Sequence, residues 1–145
     1  MGVTVLAVTL AIVAGVAIAL QSTLNSILTK YAGVWTANSL VHGSGLIVAV
    51  IITLLLGKNQ FGTVSAAPWY SLLGGTLGVC IVAAVIFAIG QLKVGFTITI
   101  LVVSQIIAAT LIDHFGFLGC PVVLLDWKRI LGIGLLVAGA LLIKK

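Results

Sequence analysis

Five apolar stretches follow one another along the chain, beginning near Val3, Val34, Trp69, Val94 and Trp127, with little sequence between them. A helix rising about 1.5 Å per residue needs about 20 mostly apolar residues to cross a hydrocarbon core about 30 Å thick. Stretches of this length in lipid must satisfy their own backbone hydrogen bonds, and a helix does so within one segment. The chain therefore reads as an all-α integral membrane protein, a single transmembrane domain over residues 1–145. Its helices are expected at about 3–28, 34–56, 69–90, 94–114 and 127–143. Composition agrees: 62% of residues are hydrophobic and 6% charged, whereas soluble domains carry about 25% charge.

Other classes are excluded by what is missing. The net charge of +5 comes from Lys and Arg placed singly or in pairs between apolar runs, as interfacial anchors are, so no nucleic-acid partner is expected. Cys80 falls in a span and Cys120 in a loop, without CxxC or Cys/His metal spacing, so both read as packing residues. There is no phosphate-binding loop, metal set or nucleophile–base pair. No metal, cofactor or enzymatic activity is expected. The N-terminus lacks a basic segment and does not read as a cleavable signal peptide.

In such a chain each polar side chain within a span carries information. Gln105 lies eleven residues after Val94, roughly 17 Å along a helix, where an amide must find a partner or line a wet cavity. In the second span Asn38 and His42 share a face. His42, about 12 Å in, suits either a neutral imidazole bonded to a neighbouring helix or a functional ionisable group. With Ser39 and Ser104 these residues are candidates to line a central substrate cavity. Gln21 and Asn25 are four apart, which fits a helix surfacing at the interface or a polar stripe facing a vestibule. No carboxylate stands at mid-depth to hold a bare cation, so a neutral, amphiphilic or weakly ionised organic substrate is expected.

Asp113 closes the fourth span and Arg129 opens the fifth, each at the end its helix dipole disfavours. A structural ion pair between them would relieve both; Lys128 is the other possible partner. The alternative makes Asp113 and His114 coupling or gating groups at a cavity mouth. Asp126 is placed to cap the fifth helix and Gly116 to end the fourth. Small residues mark packing faces: Gly43 with Ser39, Gly74 with Gly78, and Gly132 with Gly139.

Five spans put the termini on opposite sides. Lys58, Lys128 and Arg129 then lie on one side, and Lys30, Lys93, Lys144 and Lys145 on the other. Three against four barely biases orientation by the positive-inside rule. Dual topology, or pairing with an inverted partner, is expected.

The sequence resembles the drug/metabolite transporter superfamily, and most closely its short YdcZ-type family. The match is carried by Gly15 to Asn25, Ser39 to Gly43, Leu73 to Gly78, Gln105 through Asp113-His-Phe-Gly to Gly119, and Arg129-Ile-Leu-Gly132 with Gly139. The resemblance implies a five-helix half-transporter of the bacterial cytoplasmic membrane. It would pair as an antiparallel homodimer, or with a sister subunit, into a ten-helix inverted-repeat pathway for a small organic solute by alternating access. It also implies Gln21, Asn25, Gln105 and Asp113 as functional positions. His42, where the family pattern has an apolar residue, and Ser104, where it has glycine, depart from it. Competing readings are a non-transporting membrane subunit packed on a larger partner and a lipid-handling transporter.

Overall fold

The computed structural model describes residues 2–56 and 61–144. Lys58 and Lys145, which enter the charge count above, lie outside the described residues. All regular structure among the described residues is helical: α1 Gly2–Ala32, α2 Val34–Leu55, α3 Leu73–Leu92, α4 Val94–Phe115 and α5 Trp127–Ile143. Short 3-10 segments cover Phe61–Ala66, Trp69–Leu72 and Phe117–Gly119. Among the described residues four helical segments are long and apolar enough to cross a membrane: α1, α2, α4, and α3 together with the 3-10 turn before it. α5, at 17 residues, is about 26 Å long.

The chain divides into two compact units, Met1–Gln91 and Leu92–Lys145. In the first unit α1 and α2 pack together around a one-residue corner at Gly33, whose φ of 74° and ψ of 166° suit glycine. Beside the corner Ala37 is fully buried. α1 runs four residues beyond the expected end at residue 28, to Ala32. Its polar half stays helical because Thr23 and Thr29 donate their hydroxyls to the carbonyls of Ala19 and Asn25, at 2.9 and 2.8 Å. The third helix begins later than residue 69: Pro68 is followed by the 3-10 turn Trp69–Leu72, and α3 proper starts at Leu73. There Ser71 donates its backbone N–H and its hydroxyl to Pro68 O, closing a tighter turn.

In the second unit α4 and α5 pack together. α4 is preceded by Lys93, a non-glycine residue with φ 66° and ψ 161° at the N-cap. It ends at Gly116 in the left-handed conformation, φ 63° and ψ 30°. A Cβ on Gly116 would stand 2.8 Å from Val122 Cγ2, so glycine is required by contact as well as by backbone. Asp126 caps α5, accepting the Arg129 backbone N–H at 2.8 Å.

Almost no apolar side chain is hidden. Among the described residues the buried hydrophobic ones are Ala37, Ile86, Ile89 and Ala140, whereas Ser22, Asn25, Asn38 and Thr97 are buried polar ones. This inverts the soluble pattern. The outward surface of each long helix is the surface that lipid wets. Cys80 and Cys120 are free thiols.

Candidate functional site

The polar residues of the first unit gather in two places on α2. On the side facing α1, Gln21 and Asn25 meet Val41, Ser44, Gly45 and Val48 around an open cleft of about 400 Å³. Helical periodicity explains the gathering: Gln21 and Asn25 are four apart, and Val41, Ser44, Gly45 and Val48 repeat at three and four. Asn25 is buried, and no hydrogen bond forms from either side-chain amide to another described residue. Ser44 gives its hydroxyl hydrogen to Val41 O at 3.0 Å and turns lone pairs outward. The cleft thus offers two carboxamides, one hydroxyl oxygen and valine walls, with no formal charge.

Position along the helices separates the two readings of Gln21 and Asn25. From the corner at Gly33, Asn25 is eight residues back and Val41 eight forward, so they lie level about 12 Å away. Gln21 and Gly45 are level at about 18 Å. The polar half of α1 therefore runs beside the first half of α2 rather than beyond its end.

The second gathering lies between α2 and α3. Asn38 is 2% exposed, and its Nδ2 donates to Val79 O at 2.8 Å. Because a carbonyl only accepts, Val79 fixes which way round the amide sits. Its Oδ1 is buried without a partner. His42 Nδ1 stands 3.0 Å from Asn38 O, and its Nε2 stands 3.3 Å from where a Cβ on Gly78 would be. Gly78 is small so that this ring can approach. A Cβ added at Gly43, Gly74, Gly132 or Gly139 would meet nothing within 4 Å. Ser39 is exposed, its hydroxyl donating to Trp35 O at 3.0 Å, so it does not join Asn38 and His42.

In the second unit Gln105 and Ser104 are exposed on α4, and Ser104 donates to Ile100 O at 2.8 Å. Among the described residues Gln105 makes no hydrogen bond. Asp113 and Arg129 do not meet as an ion pair, nor does Asp113 meet Lys128. The end of α4 is occupied differently: Val123 N–H donates to Asp113 O at 2.9 Å, and Leu125 N–H donates to His114 Nδ1 at 3.2 Å. The segment before α5 is thereby tied back along the end of α4, with the carboxylate of Asp126, not that of Asp113, serving α5. Arg129 instead borders an open, mostly apolar cleft with Ile106, Thr110, Gly132, Ile133 and Leu136. Thr110 gives its hydroxyl to Ile106 O at 2.7 Å, leaving that cleft without a free hydroxyl donor.

Sequence reasoning missed Ser44 as a cleft residue and the role of His114. Ser44 stands six residues beyond Asn38, off its face, and is linked to Gln21 and Asn25 only once the corner at Gly33 sets the register. His114 gave no signal that its ring accepts a backbone N–H eleven residues on.

Uncharged polar groups on helices otherwise wetted by lipid describe a class, and comparison with known proteins gives the family. A family profile described as "Putative inner membrane exporter, YdcZ" matches residues 6–142. The chain belongs to the YdcZ family. Similar to it is Inner membrane protein YdcZ of Escherichia coli (strain K12), 34% identical over 140 residues that cover 92% of this chain and 91% of the relative. No solved structure matches. As a YdcZ-family member with several long apolar helices, the chain is a multi-pass protein of the bacterial inner membrane. The exporter description makes the family one of membrane transporters.

Proposed function

We propose that this YdcZ-family chain is one half of a small-molecule transporter, moving a neutral, amphiphilic or weakly ionised organic solute by alternating access. The observation that carries the reading is the uncharged cleft of Gln21, Asn25 and Ser44. Trp35, near the start of α2, suits an interfacial anchor, and Val41 to Gly45 follow it about 9–15 Å further along the helix. The cleft, level with Val41 to Gly45, then lies inside the hydrocarbon core, where carboxamides would not be retained without work to do. Two amides beside valine walls suit a solute with both hydrogen-bonding and apolar parts.

In this reading α5 is the fifth span, the five helices make a single transmembrane domain, and the termini lie on opposite sides. A second copy in the opposite orientation, or a sister subunit, completes a ten-helix pathway of the inverted-repeat kind. The open small-residue faces at Gly43, Gly74, Gly132 and Gly139 supply close contacts in the pair. Gln105 and Ser104 on α4 are substrate-side candidates with Asn38, Ser39 and His42. Asp113 and His114 are gating candidates through the strap they hold.

Two measurements test this. In a Cys80→Ala, Cys120→Ala background, the thiol introduced by Lys145→Cys is labelled with a membrane-impermeant maleimide in sealed vesicles. An antiparallel homodimer exposes about half of the molecules; complete labelling or complete protection refutes it. Purified protein in liposomes should release chloramphenicol, a neutral amphiphile, saturably, and Gln21→Leu with Asn25→Leu should abolish release without unfolding. Release no faster than from protein-free liposomes would favour the non-transporting subunit instead.

A further inference from the structure

The groove between α4 and α5 sets one unspent cation against apolar walls. On α5 it is lined by Arg129, Gly132, Ile133 and Leu136, spaced at three and four so that they share a face, and on α4 by Thr110 and Ile106, four apart. It is open and holds about 420 Å³. Thr110 has given its hydroxyl hydrogen to Ile106 O, so the free side-chain donors of the groove are those of the Arg129 guanidinium. Among the described residues that guanidinium pairs with neither Asp113 nor Asp126; Asp126 is spent on the backbone N–H of Arg129 instead. Lys128 turns elsewhere, its Nζ 6.0 Å from the centre of the Trp127 ring.

Depth decides what kind of anion fits. Trp127, 68% exposed at the first position of α5, suits the interface, which puts Arg129 at headgroup level. From Arg129 to Leu136 the groove runs about 10 Å inward, through the outer part of one leaflet of a core about 30 Å thick. A free phosphate would leave those apolar walls uncovered. A phospholipid covers them with a chain and brings its phosphate to the guanidinium, whose planar fork matches phosphate oxygens. A zwitterionic headgroup carries its own cation to that phosphate, whereas an anionic one leaves it to the protein. A second copy of this chain is a poorer occupant: with a net charge of +5 and two acidic residues in 145, it has little to offer a cation. We propose that the α4–α5 groove binds one anionic phospholipid, its phosphate on Arg129 and the start of an acyl chain along Ile106, Ile133 and Leu136. Basic pockets between membrane helices hold anionic headgroups in this way. A lipid here takes Gly132 out of the contacts of the paired form and leaves them Gly139, seven residues on. The site goes beyond the transport reading and stands whether or not the protein moves a solute.

The test uses the full chain with Trp127 as its sole tryptophan (Trp35→Phe, Trp69→Phe), in phosphatidylcholine nanodiscs. Either phosphatidylglycerol or phosphatidylcholine, brominated on the acyl chains near the glycerol, is titrated in. Bromine quenches tryptophan at short range, and half-maximal quenching of Trp127 should come at about fivefold lower mole fraction of the anionic lipid. Arg129→Gln keeps the backbone N–H that Asp126 caps and should bring the two titrations together. Gly132→Leu keeps the charge but fills the groove, and should do the same; a Cβ there meets nothing within 4 Å, so the helix itself tolerates the change. Lys30→Gln, which removes one charge from α1, should leave the preference intact. Equal quenching by the two lipids, as a mate seated on Gly132 would give, overturns the proposal. So does a preference that survives Arg129→Gln or Gly132→Leu, or one that Lys30→Gln removes as well. A preference abolished by inorganic phosphate at constant ionic strength would mark a site for the free anion and overturn it too.

Discussion

Lys93 holds φ 66° and ψ 161° at the start of α4, nearly the angles of Gly33 at the start of α2, φ 74° and ψ 166°. A side chain in this region clashes with its own backbone, a strain of about 1–3 kcal/mol. Lys93→Gly removes that strain, while the looser unfolded chain takes back about 0.4–1 kcal/mol. The expected net stabilisation is about 0.5–2 kcal/mol. The bonds at this corner survive the change, because Thr97 N–H and Thr97 Oγ1 both donate to the backbone oxygen of Lys93, at 3.2 and 2.8 Å. The reciprocal change is Gly33→Ala. No atom lies within 4 Å of a Cβ there, so its loss of about 1–3 kcal/mol would report backbone strain alone. Reversible unfolding in mixed micelles titrated with SDS, followed by tryptophan fluorescence, measures both. Lys93→Gly no more stable than the parent, together with a neutral Gly33→Ala, would refute the argument.

Asp126→Ala should cost about 1 kcal/mol by removing the cap on Arg129 N–H, and Asp126→Asn only a fraction of that; the same unfolding assay resolves them. His114→Ala leaves the Leu125 N–H without its acceptor, an expected loss of about 1–3 kcal/mol, and faster amide exchange at Leu125 locates it. Gly116→Ala combines a Cβ 2.8 Å from Val122 Cγ2 with a φ of +63° and should destabilise by more than about 1 kcal/mol. Val122→Ala in that background should recover part of the loss, since the methyl that collides is gone.

The long helices and the helix caps were legible because their causes are local. A run of apolar residues fixes a span wherever the chain goes, Asp126 precedes α5 by one residue, and Gly116 follows α4 directly. The pairing of Gln21 with Asn25 was legible for the same reason, being a matter of helical spacing. What faces them was not, because Ser44 joins the cleft only through the turn at Gly33. The ends of α4 and α5 show the limit more plainly. Opposite charges at unfavourable helix ends suggested that Asp113 and Arg129 meet, but the Asp113 carbonyl and the His114 ring are engaged with backbone N–H groups of the intervening strap. Those N–H groups look alike in every sequence, and only the path of the chain says which acceptor they reach. The conformation of Lys93 was hidden for a different reason: nothing in its side chain favours that backbone, and a lysine there gives no warning of the corner.

The two helices that meet at Gly33 are unequal, 31 residues in α1 and 22 in α2, or about 46 and 33 Å. Measured from their shared corner, the far end of α1 outruns that of α2 by about 14 Å, and the overhang from Val3 to Leu10 is mostly apolar and exposed. A span longer than the hydrocarbon core tilts to fit it, so of these two helices α1 is the one whose tilt would answer more to acyl-chain length. A lean of α1 alone would carry the wall bearing Gln21 and Asn25 past the wall bearing Ser44, and membrane thickness would then act on the width of the cleft.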